Sequence, residues 1–157
     1  MLSGGLDSVY SLYKILNEMD DEILVHHMHL LNKENRHIIE AESCKQVMAY
    51  CRQHFGDIPY TESTVDHRMF STFGLDSFIV SYMAGVVARN YSEQTGKRIS
   101  RWIWGYCIEE QDDSDPAHYQ HLENICAVSS HPFEPPVREY LSPIISMTWS
   151  NRLIPPS

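Results

Sequence analysis

The stretch Ser3-Gly4-Gly5-Leu6-Asp7-Ser8 runs directly into a segment with the periodicity of an amphipathic helix. Adjacent glycines let a turn adopt positive φ and leave its amide groups clear of side chains. The helix that follows directs its amino terminus, with a partial positive charge, at the same turn. These features predict a loop that holds an anion such as phosphate. A glycine turn before a capped helix, without any ligand, is the alternative interpretation.

Outward from this loop, apolar periodicity predicts helices that alternate with strands. The helices are predicted at 6–18, 35–54, 77–95 and 116–127, the strands at 22–31, 58–65, 99–106 and 139–145, and the start of a further helix at 147–153. Such alternation indicates right-handed crossovers and a parallel sheet. Ligands of these sheets bind beyond the carboxyl ends of the strands. We therefore expect an α/β protein whose site lies at that edge, beside the glycine loop.

Length and composition are those of one globular domain. The chain has 157 residues, of which 43% are hydrophobic and 21% charged, so it can bury a core of its own. No stretch approaches the roughly 20 apolar residues of a membrane span, and the start is not a signal peptide. We therefore expect a cytoplasmic protein that does not enter membranes. The four cysteines show no C-x-x-C spacing, so neither a disulfide framework nor zinc is expected.

The charge of the chain bears on its partners. A formal net charge of −9 disfavours binding to nucleic acid, because phosphates are neutralised by clustered Lys and Arg. The acidic excess is concentrated after the strand predicted at 99–106, where Glu109, Asp112 and Asp113 are candidate Mg²⁺ ligands together with Asp7 of the loop. A solvated surface loop is the other interpretation of such a run.

Several other residues are further candidates, and most of them admit two interpretations. In a strand, His27 and His29 share one face and His26 lies on the other, so at most two of them could share a metal ion. Packing and polar edge contacts are the alternative for all three. The remaining cases are His118 with His121 (a metal-binding pair or an exposed helix surface), Trp102 with Trp104 (stacking on a purine-like ring or core packing), and Cys107 (a candidate nucleophile).

The glycine loop resembles the signature of the PP-loop ATP pyrophosphatases, and no G-K-[ST] of a Walker loop closes it. The resemblance implies a Rossmann-like (HUP-type) parallel sheet with helices on both faces, in a three-layer α/β/α arrangement. It also implies ATP and Mg²⁺ as cofactors and cleavage of ATP to AMP and pyrophosphate. Asp7 and Ser8 take the catalytic positions. The nucleotide-binding positions are Ser3, Gly4, Gly5, Leu6, Asp7, Ser8 and Gly105.

Within that family, the order of landmarks is most similar to the 7-cyano-7-deazaguanine synthase branch. Besides the loop, the landmarks are residues 25–29, Arg36, Glu40-Ala41-Glu42, Trp104-Gly105-Tyr106 and residues 142–148. This resemblance implies an ATP-dependent ligase that adenylates a purine-like carboxylate and amidates it with ammonia, releasing AMP and pyrophosphate. The product would be a precursor of queuosine or archaeosine.

The sequence also departs from that branch. The four zinc-binding cysteines near the carboxyl terminus are missing, Trp149 stands where a lysine is expected, and residues 73–77 lack an expected arginine. Arg68 is a candidate replacement for that arginine. Fixed cations stabilise the charge that develops on pyrophosphate, and losing one costs about 10²- to 10³-fold in rate. A catalytically degenerate nucleotide-binding or assembly protein on the same fold is therefore the alternative to a ligase.

The segment that enters the glycine loop is short. Only Met1 and Leu2 precede Ser3, although the fold expected from the resemblance places a central strand there. A strand of two residues cannot hold the middle of a sheet by itself. This predicts either a trimmed member of the class or a sheet completed by a homo-oligomer partner or another chain.

Overall fold

The computed structural model describes residues 1–69, 76–104 and 116–140. Helices and strands alternate within these ranges, so the protein is of mixed α/β class, as predicted. In chain order the elements are α1 (Leu6–Glu18), β1 (Val25–Leu31), α2 (His37–Phe55), β2 (Tyr60–Asp66), α3 (Asp76–Thr95), β3 (Arg101–Trp104), α4 (Pro116–Ser130) and β4 (Val137–Tyr140).

The helices begin and end close to the predicted residues. Helix α3 is followed by Gly96, whose φ of +69° lies in the left-handed region that glycine adopts at little cost. Helix α4 runs three residues beyond its predicted end at 127. The helix predicted to begin within 147–153 falls outside the described residues. None of the helices in the described ranges combines the length and the apolarity needed to cross a bilayer.

Strands β1 and β2 form a parallel pair, with Val25 beside Tyr60 and Leu31 beside Asp66. The first four residues of β1 are all buried, as is typical of a strand covered on both faces in a parallel sheet. The strand begins three residues later than predicted. Glu22 lies before it and forms an exposed ion pair with Lys97, whose ammonium is 2.7 Å from the carboxylate.

Strands β3 and β4 form a second parallel pair, with Arg101 beside Val137 and Trp104 beside Tyr140. Strand β4 begins two residues earlier than predicted, and residues 141–145 of its predicted span lie outside the described residues. The described strands thus form two sheets of two strands each. The described residues do not form the single continuous sheet that the alternation of elements predicts.

The first two residues lie between the two sheets. The amide of Leu2 donates to the carbonyl of His26 in β1 over 2.8 Å, and the amino group of Met1 donates to the carbonyl of Ile103 in β3 over 3.0 Å. A cavity of about 210 Å³ lies beside these two residues and is lined from both sheets, by Val25 and His26 of β1 and by residues 101–103 of β3.

The interior contains two apolar clusters. The first is formed mainly by α1, α2 and β1, and its buried members are Leu2, Leu12, Val25, Cys44, Met48, Cys51 and Ile58. The second lies where α3 and α4 meet β3 and consists of Ala84, Trp102 and Cys126. Helices α3 and α4 approach closely at Gly85, where a Cβ atom would overlap Ser129 Oγ and the carbonyl oxygen of Cys126.

Candidate functional site

The glycine loop is a tight turn at the amino terminus of α1. Gly4 has a φ of +79°, a conformation that strains every residue except glycine. Ser3 and Ser8 close the turn from inside. The Ser3 amide donates to Ser8 Oγ over 3.2 Å, the two hydroxyl oxygens are 3.0 Å apart, and Ser8 Oγ donates to the Gly5 carbonyl over 3.0 Å. The serine hydroxyls therefore fix the shape of the loop.

Gly4 also lies directly against helix α2. A Cβ atom built on it would be 2.8 Å from Ser43 Cβ, 2.9 Å from the carbonyl oxygen of Glu40 and 3.3 Å from Cys44 Sγ. Gly5 differs, because it has an extended backbone with φ −78° and ψ 162°. Its nearest neighbour would be Ser3 Oγ, at 3.5 Å. Gly4 is thus required by the packing of the fold, whereas Gly5 leaves open space on the outer side of the turn.

The first turn of α1 has no side-chain cap. Gly5 is the N-cap residue, and within the described ranges no side chain accepts a hydrogen bond from the first-turn amides. Leu6 is 75% exposed, so this end of the helix faces solvent. Uncapped first-turn amides and the helix dipole together favour an anion at this position. Asp7 lies in the same turn, where a carboxylate could hold a divalent cation beside a bound phosphate.

A cavity of about 260 Å³ opens beside the loop. It lies at the carboxyl ends of β1 and β3, the edge at which ligands of parallel α/β sheets bind. Ser3 and Ser8 form its wall on the side of the loop. The other described lining residues are the apolar Met1, Leu2, Met28, Leu30, Val80 and Trp104 and the polar Asn32, Arg36, Glu40, Asp76 and Ser77.

Asp76 is the centre of a polar cluster at the rim of this cavity. Its Oδ2 atom is 3.5 Å from Asn32 Nδ2 and 3.7 Å from a terminal nitrogen of Arg36, and its Oδ1 atom is 3.8 Å from His67 Nε2. Arg36 also forms a 2.6 Å ion pair with Glu34. Sequence reasoning missed Asn32, His67 and Asp76 as site residues and used Arg36 only as a landmark. Asn32 and His67 directly follow β1 and β2, and Asp76 begins α3. Such positions at the carboxyl ends of strands indicate a ligand site, and they could have identified these residues from the sequence.

The three histidines of β1 are engaged within the fold. His26 contacts Thr61 Oγ1 (2.8 Å) and Ser63 Oγ (2.9 Å) of β2, and burial lowers its pKa to about 4. His27 Nδ1 is 2.9 Å from the Leu2 carbonyl, and burial lowers its pKa as well. His27 and His29 lie on one face, with ring centroids 4.5 Å apart. The described residues contain no group of three or more side chains placed to share a metal ion.

The two tryptophans of β3 have different surroundings. Trp102 is buried in the second apolar cluster, whereas Trp104 lines the cavity beside the loop. Arg68 is not among the residues that line this cavity. Its guanidinium binds both carboxylate oxygens of Asp66, at 2.9 and 2.6 Å.

Other predicted site residues lie outside the described residues. They are Gly105, Cys107, Glu109, Asp112, Asp113 and Trp149, together with the side chain of His118.

Comparison with protein-family models, with curated proteins and with solved structures found no match to this chain.

Proposed function

We propose that this chain binds the pyrophosphate end of ATP at residues 3–8, as a PP-loop ATP pyrophosphatase-like protein. The observation that carries this proposal is the uncapped, solvent-facing amino terminus of α1 after the positive-φ residue Gly4, in a loop whose Ser3 and Ser8 line the cavity. Backbone amides and the helix dipole supply the attraction for phosphate oxygens. Asp7 is the proposed ligand of the Mg²⁺ ion that accompanies ATP.

The cavity beside the loop supports a site for a second group. Its apolar side includes Val80 and Trp104 and its rim includes Asn32 and Asp76, a combination suited to a flat ring with polar edges. The chemistry we propose is adenylation of a purine-like carboxylate, followed by amidation with ammonia and release of AMP and pyrophosphate. This is the reaction of the 7-cyano-7-deazaguanine synthases, which the sequence resembles. Gly105, Glu109, Asp112 and Asp113 remain candidate contacts for the nucleotide and for Mg²⁺.

A second candidate function is nucleotide binding without turnover. Arg36 is the only cationic side chain among the described residues that line the cavity, and it already pairs with Glu34 over 2.6 Å. A cation held in this way stabilises less of the charge that develops on departing pyrophosphate. This observation favours slow turnover, or none, and is the reason to keep a degenerate nucleotide-binding or assembly protein as the alternative.

We also propose that the two sheets are parts of one Rossmann-like, three-layer sheet in the order β2, β1, residues 1–2, β3, β4. The support is that Met1 and Leu2 hydrogen bond to strands of both sheets. The cavity between the two sheets is the place where, as we propose, another copy or a partner chain adds to the sheet. The buried free thiols of Cys44, Cys51 and Cys126 support a cytoplasmic location.

The phosphate site is tested by titration calorimetry with pyrophosphate, ATP and AMP, each with Mg²⁺. We expect pyrophosphate and ATP to bind and AMP alone to bind more weakly. Gly5→Ala should weaken the binding of pyrophosphate and of ATP by about tenfold or more, because the added methyl group would stand among the amides that we propose face the phosphate. Asp7→Ala should weaken Mg²⁺-dependent binding, and Asp57→Ala, at an exposed acidic position, is the matched control.

Turnover is tested separately on the same protein. With ATP, Mg²⁺, ammonium and candidate ring carboxylates, a ligase releases AMP and pyrophosphate above the blank. Binding of pyrophosphate without release of AMP identifies the degenerate alternative. Absence of binding to both pyrophosphate and ATP, in protein shown to be folded, refutes the proposed phosphate site.

A further inference from the structure

His67 and Asp76 face each other across a gap beside the cavity. The His67 side chain is only 9% exposed, and its Nε2 atom has no hydrogen-bond partner among the described residues. Asp76 Oδ1 lies across the gap at 3.8 Å, which is longer than a hydrogen bond. Buried polar atoms normally have partners, so this gap is placed to hold a small polar group.

The second oxygen of the Asp76 carboxylate is held by residues on the side away from His67. Its Oδ2 atom faces Asn32 Nδ2 at 3.5 Å and Arg36 at 3.7 Å. The backbone of His67 is held by strand β1, because the His67 amide donates to the carbonyl of Leu31, the last residue of that strand, over 3.1 Å. Both sides of the gap are therefore fixed by elements that also build the cavity.

The charges around the gap leave it acidic. Arg36 pairs with Glu34, and Arg68 pairs with Asp66, each over 2.6 Å. Arg36 is also 3.7 Å from the Asp76 carboxylate, so Glu34 and Asp76 share one guanidinium, and one net negative charge remains among these five side chains. A small cation is therefore favoured there over a neutral or anionic group.

We propose that the gap between His67 Nε2 and Asp76 Oδ1 binds ammonium, the nitrogen donor of the amidation, an inference that rests on the proposed function. The bound group must donate to two acceptors, since a carboxylate only accepts and a neutral imidazole accepts at Nε2 when its proton is on Nδ1. Ammonium donates in both directions and carries the positive charge that Asp76 favours. Mg²⁺ prefers oxygen ligands, and K⁺ has no proton to donate.

In the reaction, His67 Nε2 accepts one proton from the bound ammonium. The lone pair freed on nitrogen forms the C–N bond with the acyl carbon of the adenylated carboxylate. The C–O bond to AMP breaks, and its electron pair leaves with AMP. The second proton lost by nitrogen passes to solvent through Asp76, whose side chain is 38% exposed.

The test is an NMR titration of the histidine rings in ammonium chloride, potassium chloride and sodium chloride at equal ionic strength. Bound ammonium donates to His67 Nε2, so the His67 ring resonances should move in ammonium chloride only, by about two thirds of the saturating change when ammonium is about twice its Kd. His67→Gln identifies the responding resonance, with His54→Gln as the exposed control. Asp76→Asn should abolish the shift, and Asp57→Asn should not.

Each outcome decides a separate point. If the His67 resonances are the same in all three salts, water alone bridges the gap, and if potassium chloride moves them equally, the site takes any monovalent cation. Either result overturns the ammonium site, and neither requires turnover or an Asp76 variant that folds. Pyrophosphate titrations of the unaltered protein and of Gly5→Ala test the proposed function independently, so the two failures are distinguishable.

Discussion

Replacing Gly4 with alanine tests whether the glycine loop and helix α2 are mutually dependent. The added Cβ would lie 2.8 Å from Ser43 Cβ and 2.9 Å from the Glu40 carbonyl oxygen, atoms that cannot move without shifting α2. The residue would also keep a φ of +79°, at a cost of about 1–2 kcal/mol for a side chain other than glycine. Overpacking in a tight interior adds about 1–3 kcal/mol. We expect a loss of about 2–5 kcal/mol in the free energy of unfolding.

The neighbouring variant Gly5→Ala is the matched control. Its backbone is extended, and the new Cβ would meet only Ser3 Oγ at the ordinary distance of 3.5 Å. Alanine is a poorer N-cap than glycine, but it also restricts the unfolded chain, worth about 0.4–1 kcal/mol in the opposite direction. The expected change in stability is therefore below about 1 kcal/mol.

The measurement is urea unfolding followed by tryptophan fluorescence, with the free energies obtained by linear extrapolation. The reasoning is refuted if Gly4→Ala is as stable as the unaltered protein. It is also refuted if Gly5→Ala loses as much stability as Gly4→Ala. Of the two glycine variants, therefore, only Gly5→Ala can separate loss of phosphate binding from loss of the fold.

Three further predictions concern packing, pH and thiol chemistry. Gly85→Ala should lower the free energy of unfolding by about 1–3 kcal/mol, because the new methyl group overlaps α4. This loss is expected despite a gain of about 1 kcal/mol in helix propensity, and an unchanged Tm would contradict it. Burial lowers the pKa of His26 from 6.5 to about 4, so between these pH values the unfolded chain binds a proton at His26 that the folded chain does not. The free energy of unfolding should therefore fall by at most about 3 kcal/mol as the pH drops from 6.5 to 4. His26→Gln should flatten this part of the stability curve, and an equal slope in the variant would count against the assignment. Burial raises the pKa of Cys44 to about 12, that of Cys126 to about 11, and that of Cys51 as well. Peptide mapping should therefore find all three cysteines unalkylated in native protein at pH 8 and alkylated in urea. Rapid labelling of any one of them in native protein would refute their burial.

Much of the local structure could be predicted from the chain alone, because local structure depends on periodicity and turn chemistry. Helix α1 begins and ends at the predicted residues 6 and 18, and α3 begins one residue early and ends at Thr95 as predicted. The opposite faces of His26 and His27 follow from the period of two in any strand. The loop at 3–8 was likewise predicted at the start of a helix, where the structure places it.

The candidate site could be predicted only in part. Asn32, His67 and Asp76 are separated by up to 44 positions in sequence, and nothing local distinguishes them from other polar residues. They meet because β1, β2 and α3 present their ends at one edge of the fold. Only part of the role of Gly4 could be predicted from the sequence, since its contact with Glu40 and Ser43 exists only after α2 has packed against the loop.

The sequence by itself determined the order of helices and strands and the glycine turn at the start of α1, because both depend on residues that are neighbours along the chain. Only the tertiary structure decided that the described strands form two sheets joined through Met1 and Leu2, and that Asp76 faces His67 beside a cavity. The physical reason is that strand pairing and side-chain clusters depend on distances between elements. Those distances are set by packing across the whole fold.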